Sequence, residues 1–151
     1  MGLSAEFVRH LYARLEEFEW LWRLLVRVSV GLEFFGSGLG KLGKLPGFIE
    51  FFRELGIPFP ELQAPFVAGV ELVCGALIVI GLLTRPAALM LCGVMTVAII
   101  TAAAPEKHIT ASWPGLLEFF YLSEWLLLLL LGWLVLAGPG RASLDAHLGK
   151  R

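Results

Sequence analysis

The chain has 151 residues, of which 58% are hydrophobic and 17% charged, and its formal net charge is −1. Soluble domains are typically about 45–50% apolar and about 25% charged, and one of this size buries only about 70% of its surface. A soluble globule and a disordered chain are therefore both excluded, and the balanced charge offers no basic stripe for nucleic acid.

One domain, residues 1–151, is expected for this length, with room for four apolar spans of about 20 residues and two tails. Residues 3–19 place Phe7, Leu11, Leu15 and Phe18 at helical spacing among charges. The pattern predicts an amphipathic helix over residues 1–20, lying on the membrane surface. Glu6, Arg9, Arg14, Glu16, Glu17 and Glu19 occupy the place of an apolar h-region, so the segment does not read as a signal peptide. Trp20 and Trp22 stand where an interfacial aromatic belt would lie.

Span one is expected at about 21–41 and carries Arg23, Arg27 and Glu33. After Pro46, residues Phe48, Phe51, Phe52 and Leu55 share one face, which predicts a short interfacial helix ended by Gly56 and Pro58. Span two, about 62–83, has Glu71 near its centre. A connection of only Thr84-Arg85 then forces an antiparallel hairpin into span three, about 86–104, which holds no charge. Pro86 suits a first helical turn, where its missing N–H costs nothing. A polar loop over 105–117 leads to span four, about 118–138, with its leucine run 126–131 and the stop Gly138-Pro139-Gly140. Residues 139–151 form a C-terminal tail. The fold class is all-α: an integral membrane antiparallel four-helix bundle, with an N-terminal amphipathic helix and a short interfacial helix between spans one and two.

Orientation follows from the basic residues of the loops. With both termini and the Arg85 turn on one side, that side holds Arg9, Arg14, Arg23, Arg85, Arg141, Lys150 and Arg151. The other holds Lys41, Lys44, Arg53 and Lys107. The expectation is a prokaryotic cytoplasmic (inner) membrane protein, multi-pass, with both termini cytoplasmic.

An ionisable group at membrane depth costs about 2.5–3.5 kcal/mol on insertion scales, so each needs a partner or a purpose. On a helical wheel Arg27, Gly31, Gly38 and Lys41 fall within about 80° of one another. Small residues let helices approach closely, so this stripe should face the bundle. Counting depth along the spans puts Arg27 about 6 Å to the cytoplasmic side of centre, within reach of Glu71. Glu124 lies about 6 Å to the outer side in span four, and Glu33 points about 120° away from the face of Arg27. Two readings stand. Arg27–Glu71 is a structural ion pair that fixes helix register, or Arg27, Glu71, Glu124 and Glu33 line a polar cavity for a quinone head group, a substrate or a proton. Burial raises a carboxyl pKa, which would let such a Glu exchange protons.

Cys74 and Cys92 lie apart in apolar runs, outside any CxxC; they read as inert buried thiols, with a redox pair across adjacent antiparallel spans as the alternative. His10, His108 and His147 lie in tails or loops, so neither a haem held within the spans nor a metal site is expected. There is no glycine-rich phosphate loop and no Ser/His/Asp or Cys/His nucleophile set.

Four motifs together resemble a known family. They are Arg27-x3-Gly31-x6-Gly38-x2-Lys41-Leu42; Leu55-Gly56-Ile57-Pro58-Phe59-Pro60; Val70-Glu71-Leu72-Val73-Cys74-Gly75 with Gly81-Leu82-Leu83-Thr84-Arg85; and Gly138-Pro139-Gly140-Arg141 with Ser143-Leu144-Asp145. The ordered set, over about residues 24–148, resembles the DoxX family. That resemblance implies a four-helix membrane protein, with relatives in thiosulfate:quinone oxidoreductase and in oxidative-stress complexes with soluble redox enzymes. It carries over Arg27, Lys41, Glu71 and Glu124 as the polar positions, while Glu33 stands where an apolar residue is implied. Three functions are compatible. One is a quinone-interacting subunit of a membrane-associated oxidoreductase, with no covalently bound cofactor and with lipid, quinone and other subunits or further copies as partners. The second is a non-enzymatic anchor or assembly subunit. The third is a small solute transporter, disfavoured by the lack of visible inverted repeats.

Overall fold

The computed structural model describes residues 3–106 and 113–149, and every element among them is a helix. The first, α1, runs unbroken over Leu3–Gly43, 41 residues. The expected change of element near residue 20 does not occur in the backbone. The stretch Glu19-Trp20-Leu21-Trp22-Arg23-Leu24 holds no Gly or Pro to break a helix, and Arg23 pairs with Glu19 one turn back. At about 1.5 Å per residue α1 is about 60 Å long, twice the thickness of a hydrocarbon core. Phe7, Phe18, Trp20 and Trp22 are exposed on its N-terminal half. The side chains of Leu11 and Leu15 lie outside the described residues, as do residues 107–112 of the expected polar loop.

Helix α2 spans Leu45–Glu54 with Pro46 in its first turn. A short helix does form where one was expected: Phe52 is buried and Phe48 packs edge-on against it at 4.6 Å. Arg53 ties α2 to the start of the next helix through a 2.7 Å bond to Glu61, and it also pairs with Glu50. These two carboxylates, Glu61 first, hold the Arg53 guanidinium above its ordinary pKa.

Helix α3 spans Pro60–Ile80, and the three residues Gly81, Leu82 and Leu83 turn the chain into α4, Thr84–Ala98. The expected connection, Thr84-Arg85, is instead the first turn of α4. Gly81 (φ 73°) and Leu83 (φ 49°) take the left-handed region and reverse the chain there. Pro86 does fall within the first turn. A π-helical turn over Ile99–Ala103 and the short α5, Ala104–Glu106, continue α4. Expected span four is two helices, α6 (Trp113–Phe120) and α7 (Ser123–Ala137), bent by 60° where Tyr121 and Leu122 leave the helix. Leu122 is buried against Ile99 and Ala103, which rewards the bend. A last short helix, α8, spans Leu144–Leu148, and the Ser143 hydroxyl caps it by accepting from Ala146 N at 3.1 Å.

Among the described residues, two segments are long and apolar enough to cross a membrane, Pro60–Ile80 and Thr84–Glu106, and the bent α6–α7 pair makes a third if it counts as one span. α1 carries Arg23, Arg27, Glu33 and Lys41, which keep it below that composition threshold. Its placement comes from packing instead. α1 lies along α3 with almost no side chain between the backbones. A Cβ on Gly31 would sit 2.9 Å from Gly75 O, and one on Gly38 would sit 2.5 Å from Leu72 N. The expected glycine stripe therefore does face the interior. α4 packs between α3 and α7 around a core of Val30, Phe34, Ile78, Leu91, Leu131 and Leu134. Leu32, Phe66, Val73, Leu89, Ile100, Leu129 and Leu136 are exposed on the outside, a surface suited to acyl chains.

Candidate functional site

The α1–α3 seam sets the depth of each charged group. Gly31 lies against Gly75 and Val79, and Gly38 against Ala68 and Leu72. Antiparallel pairing in this register puts Arg27 level with Gly81 at the end of α3, and puts Ser37 and Lys41 level with Glu71 in its middle.

Glu71 is 1% exposed. Lys41 Nζ donates to both of its oxygens at 2.6 Å, and Ser37 Oγ donates to Oε2 at 3.1 Å. Ser37 and Lys41 stand one turn apart on α1, so a single helix face supplies both donors. The Lys41 side chain remains 29% exposed, with Nζ 5.2 Å from the centre of the Phe48 ring. The cluster is thus a compensated carboxylate buried between α1 and α3, whose ammonium partner keeps part of its side chain exposed beside Phe48 of α2. Such an arrangement can donate a hydrogen bond from Lys41 to an incoming acceptor and can pass a proton to or from Glu71.

Arg27 is 3% exposed and does not pair with Glu71. Its Nη1 donates to Pro139 O at 2.8 Å and its Nη2 to Ala142 O at 2.7 Å. Glu71 and Gly81 are ten residues apart, about 15 Å along α3, too far for a guanidinium arm. The expected Arg27–Glu71 pair fails because the span boundaries inferred for α1 place Arg27 too deep. Arg27 instead grips the C-terminal tail, and the tail grips back. Asp145 accepts from Leu83 N (2.8 Å) and Thr84 N (3.0 Å), capping α4, while its own N–H donates to Gly81 O (2.9 Å). Gly81 is obligatory here: a Cβ would lie 2.6 Å from Arg27 Nη1 and from Ser143 Cβ.

The remaining candidates stand apart from the Glu71 cluster. Glu33 is exposed on the outer face of α1. Glu124 is half-buried in the first turn of α7, where a helix N-terminus favours an acid, and it accepts from Ser123 Oγ at 3.1 Å. Cys74 and Cys92 are both free thiols. Residue patterns alone did not single out Ser37, Phe48 or Asp145 for these roles. The i to i+4 spacing of Ser37 and Lys41 was the available signal for the first.

A helical membrane protein with two polar clusters strung along one glycine-lined helix pair is the class these features define. Comparison with known proteins narrows it. The DoxX profile matches residues 22–104. Rv3486, a membrane protein of Mycobacterium tuberculosis (strain H37Rv), is 35% identical over 140 residues, covering 85% of this chain and 82% of its own. CatD of Bacillus subtilis (strain 168), provisionally named an oxidoreductase, is 35% identical over 99 residues, covering 66% of this chain and 69% of its own. The inner membrane protein YphA of Escherichia coli (strain K12) is 31% identical over 123 residues, 81% of this chain and 86% of its own. No solved structure matches. The chain belongs to the DoxX family of membrane proteins.

Proposed function

We propose that this chain is a quinone-interacting subunit of a membrane-associated oxidoreductase system in a prokaryotic inner membrane. In this reading it crosses the bilayer four times as an antiparallel bundle, with α1 and the α6–α7 pair as first and last spans and both termini cytoplasmic. Arg27, the 81–83 turn and the docked tail meet at one end, which supports a common side for the termini and Arg85.

The single observation that carries the reading is the Glu71 carboxylate, buried at mid-depth and held by a half-open Lys41 beside an aromatic ring. A quinone head group is a flat ring with two carbonyl acceptors, and its reduction takes up two electrons and two protons. Lys41 would donate to one carbonyl, Phe48 would pack on the ring, and Glu71 would exchange a proton through Lys41 or Ser37. The electrons would come from a separate donor subunit. The relative named as an oxidoreductase is consistent with such a system. The test is calorimetric titration of the full chain in nanodiscs with a short-tailed benzoquinone. Saturable binding beyond lipid partitioning is expected, and partitioning alone overturns the reading.

A second reading, a non-enzymatic anchor or assembly subunit, is favoured by one specific observation: the exposed carboxylate of Glu33 on the outer face of α1.

A further inference from the structure

Glu33 has no hydrogen bond or ion pair among the described residues, although it lies at membrane depth. Its level is fixed by neighbours on α1: Gly31 abuts Gly75 and Val79, and Gly38 abuts Leu72. Glu33 falls between these contacts, inside the length of α3, which is itself apolar enough to span a bilayer. Yet Glu33 is exposed on the side of α1 that faces away from α3. At 100° per residue, Gly36 and Gly40 lie on the same outer face, within about 60° of Glu33. Both are exposed, and a Cβ on either would meet nothing within 4 Å. The glycines of the opposite face, Gly31 and Gly38, are consumed by α3, so they do not explain this second pair.

We propose that this outer face of α1 is the docking surface for a transmembrane helix of a different protein, one that presents a Lys or Arg to Glu33. The argument is charge complementarity at a fixed depth. A carboxylate facing lipid needs a cation or a strong donor within the same hydrophobic layer. Among the described residues, no copy of this chain supplies one at that depth. The cations of α1 nearest that depth lie elsewhere: Arg27 is held by Pro139 O and Ala142 O, and Lys41, bonded to both Glu71 oxygens, stands about 12 Å along the helix from Glu33. α3, α7 and the 84–106 run beyond Arg85 contain no Lys or Arg. A symmetric second copy would set Glu33 against Glu33. Gly36 and Gly40 add the other requirement, a surface bare enough for two helix backbones to approach and shorten the ion pair. The surface is separate from the Glu71 cluster, so it does not depend on the quinone reading.

The test uses the full chain, fluorescently labelled, in phosphatidylcholine–phosphatidylglycerol vesicles. The probe is a synthetic leucine–alanine transmembrane helix with one lysine placed at the depth of Glu33, and its control has leucine there. Resonance energy transfer should show about tenfold tighter association with the lysine helix. Glu33→Gln should remove that preference, and Gly40→Leu should weaken both associations by bulk. Glu33 has no hydrogen bond or ion pair among the described residues and a Cβ on Gly40 would meet nothing within 4 Å, so neither variant should lower the melting temperature. Equal association of the two helices, an unchanged preference in Glu33→Gln, or self-association of the chain that excludes both helices would each overturn the proposal.

Discussion

Lys41 and Glu71 meet across the α1–α3 seam, with the ammonium nitrogen 2.6 Å from both carboxylate oxygens. The contact is asymmetric: Glu71 is 1% exposed on its side chain, whereas Lys41 is 29% exposed. One member of the pair can therefore be reached from outside, while the other is reached through it or through Ser37. Arg27, on the same helix face, plays an unrelated part about 20 Å along α1 from Lys41, where it fastens the tail.

Arg27→Leu should destabilise the chain more than Lys41→Leu. The first takes the donor from the Pro139 and Ala142 carbonyls, each losing a part-buried charged hydrogen bond of about 1.5–3 kcal/mol, and leaves the tail unfastened. The second leaves a carboxyl that can neutralise itself by taking up a proton. Melting temperatures in mild detergent check the order, and equal losses would count against the tail grip.

Asp145→Ala removes the cap of α4 and should cost about 0.5–2 kcal/mol. More tellingly, it should free the tail. Limited proteolysis should cut after Arg141 faster in this variant than in wild type, because a docked backbone resists cleavage. Unchanged cleavage would mean that Asp145 does not hold the tail in place.

The two glycine faces of α1 should respond oppositely to a methyl group. Gly38→Ala drives a Cβ to 2.5 Å from Leu72 N, a backbone atom that cannot move aside alone. A loss of about 1–3 kcal/mol is expected. Gly36→Ala meets nothing within 4 Å and should gain about 0.5–1 kcal/mol of helix stability in the isolated chain. Thermal unfolding of the pair separates the faces.

Much of this was legible in the residues. The Gly31–Gly38 stripe announced a close helix contact, Pro46 and the phenylalanines announced α2, and the family resemblance marked Gly81 and Asp145 as motif positions. What stayed hidden was tertiary. Arg27 binds backbone carbonyls, which carry no sequence signature, and they belong to a tail 112 to 115 residues away. Its depth was misjudged because the mixed composition of α1 gives hydropathy no edge to find, whereas the glycine contacts fix the register outright. The 60° bend before α7 is hidden for another reason: Tyr121 and Leu122 are neither Gly nor Pro, so no breaker marks where the backbone leaves the helix, and Ser123-Glu124 is the available signal of a new start.

The most direct measurement is head-group affinity of Glu71→Gln against wild type in the same nanodiscs. The substitution keeps the shape and leaves Lys41 its solvent-facing side, so melting should shift by no more than about 5 °C. Affinity for the short-tailed quinone should fall at least about tenfold, a loss of about 1.4 kcal/mol. A folded Glu71→Gln protein that binds the quinone as tightly as wild type would contradict the account.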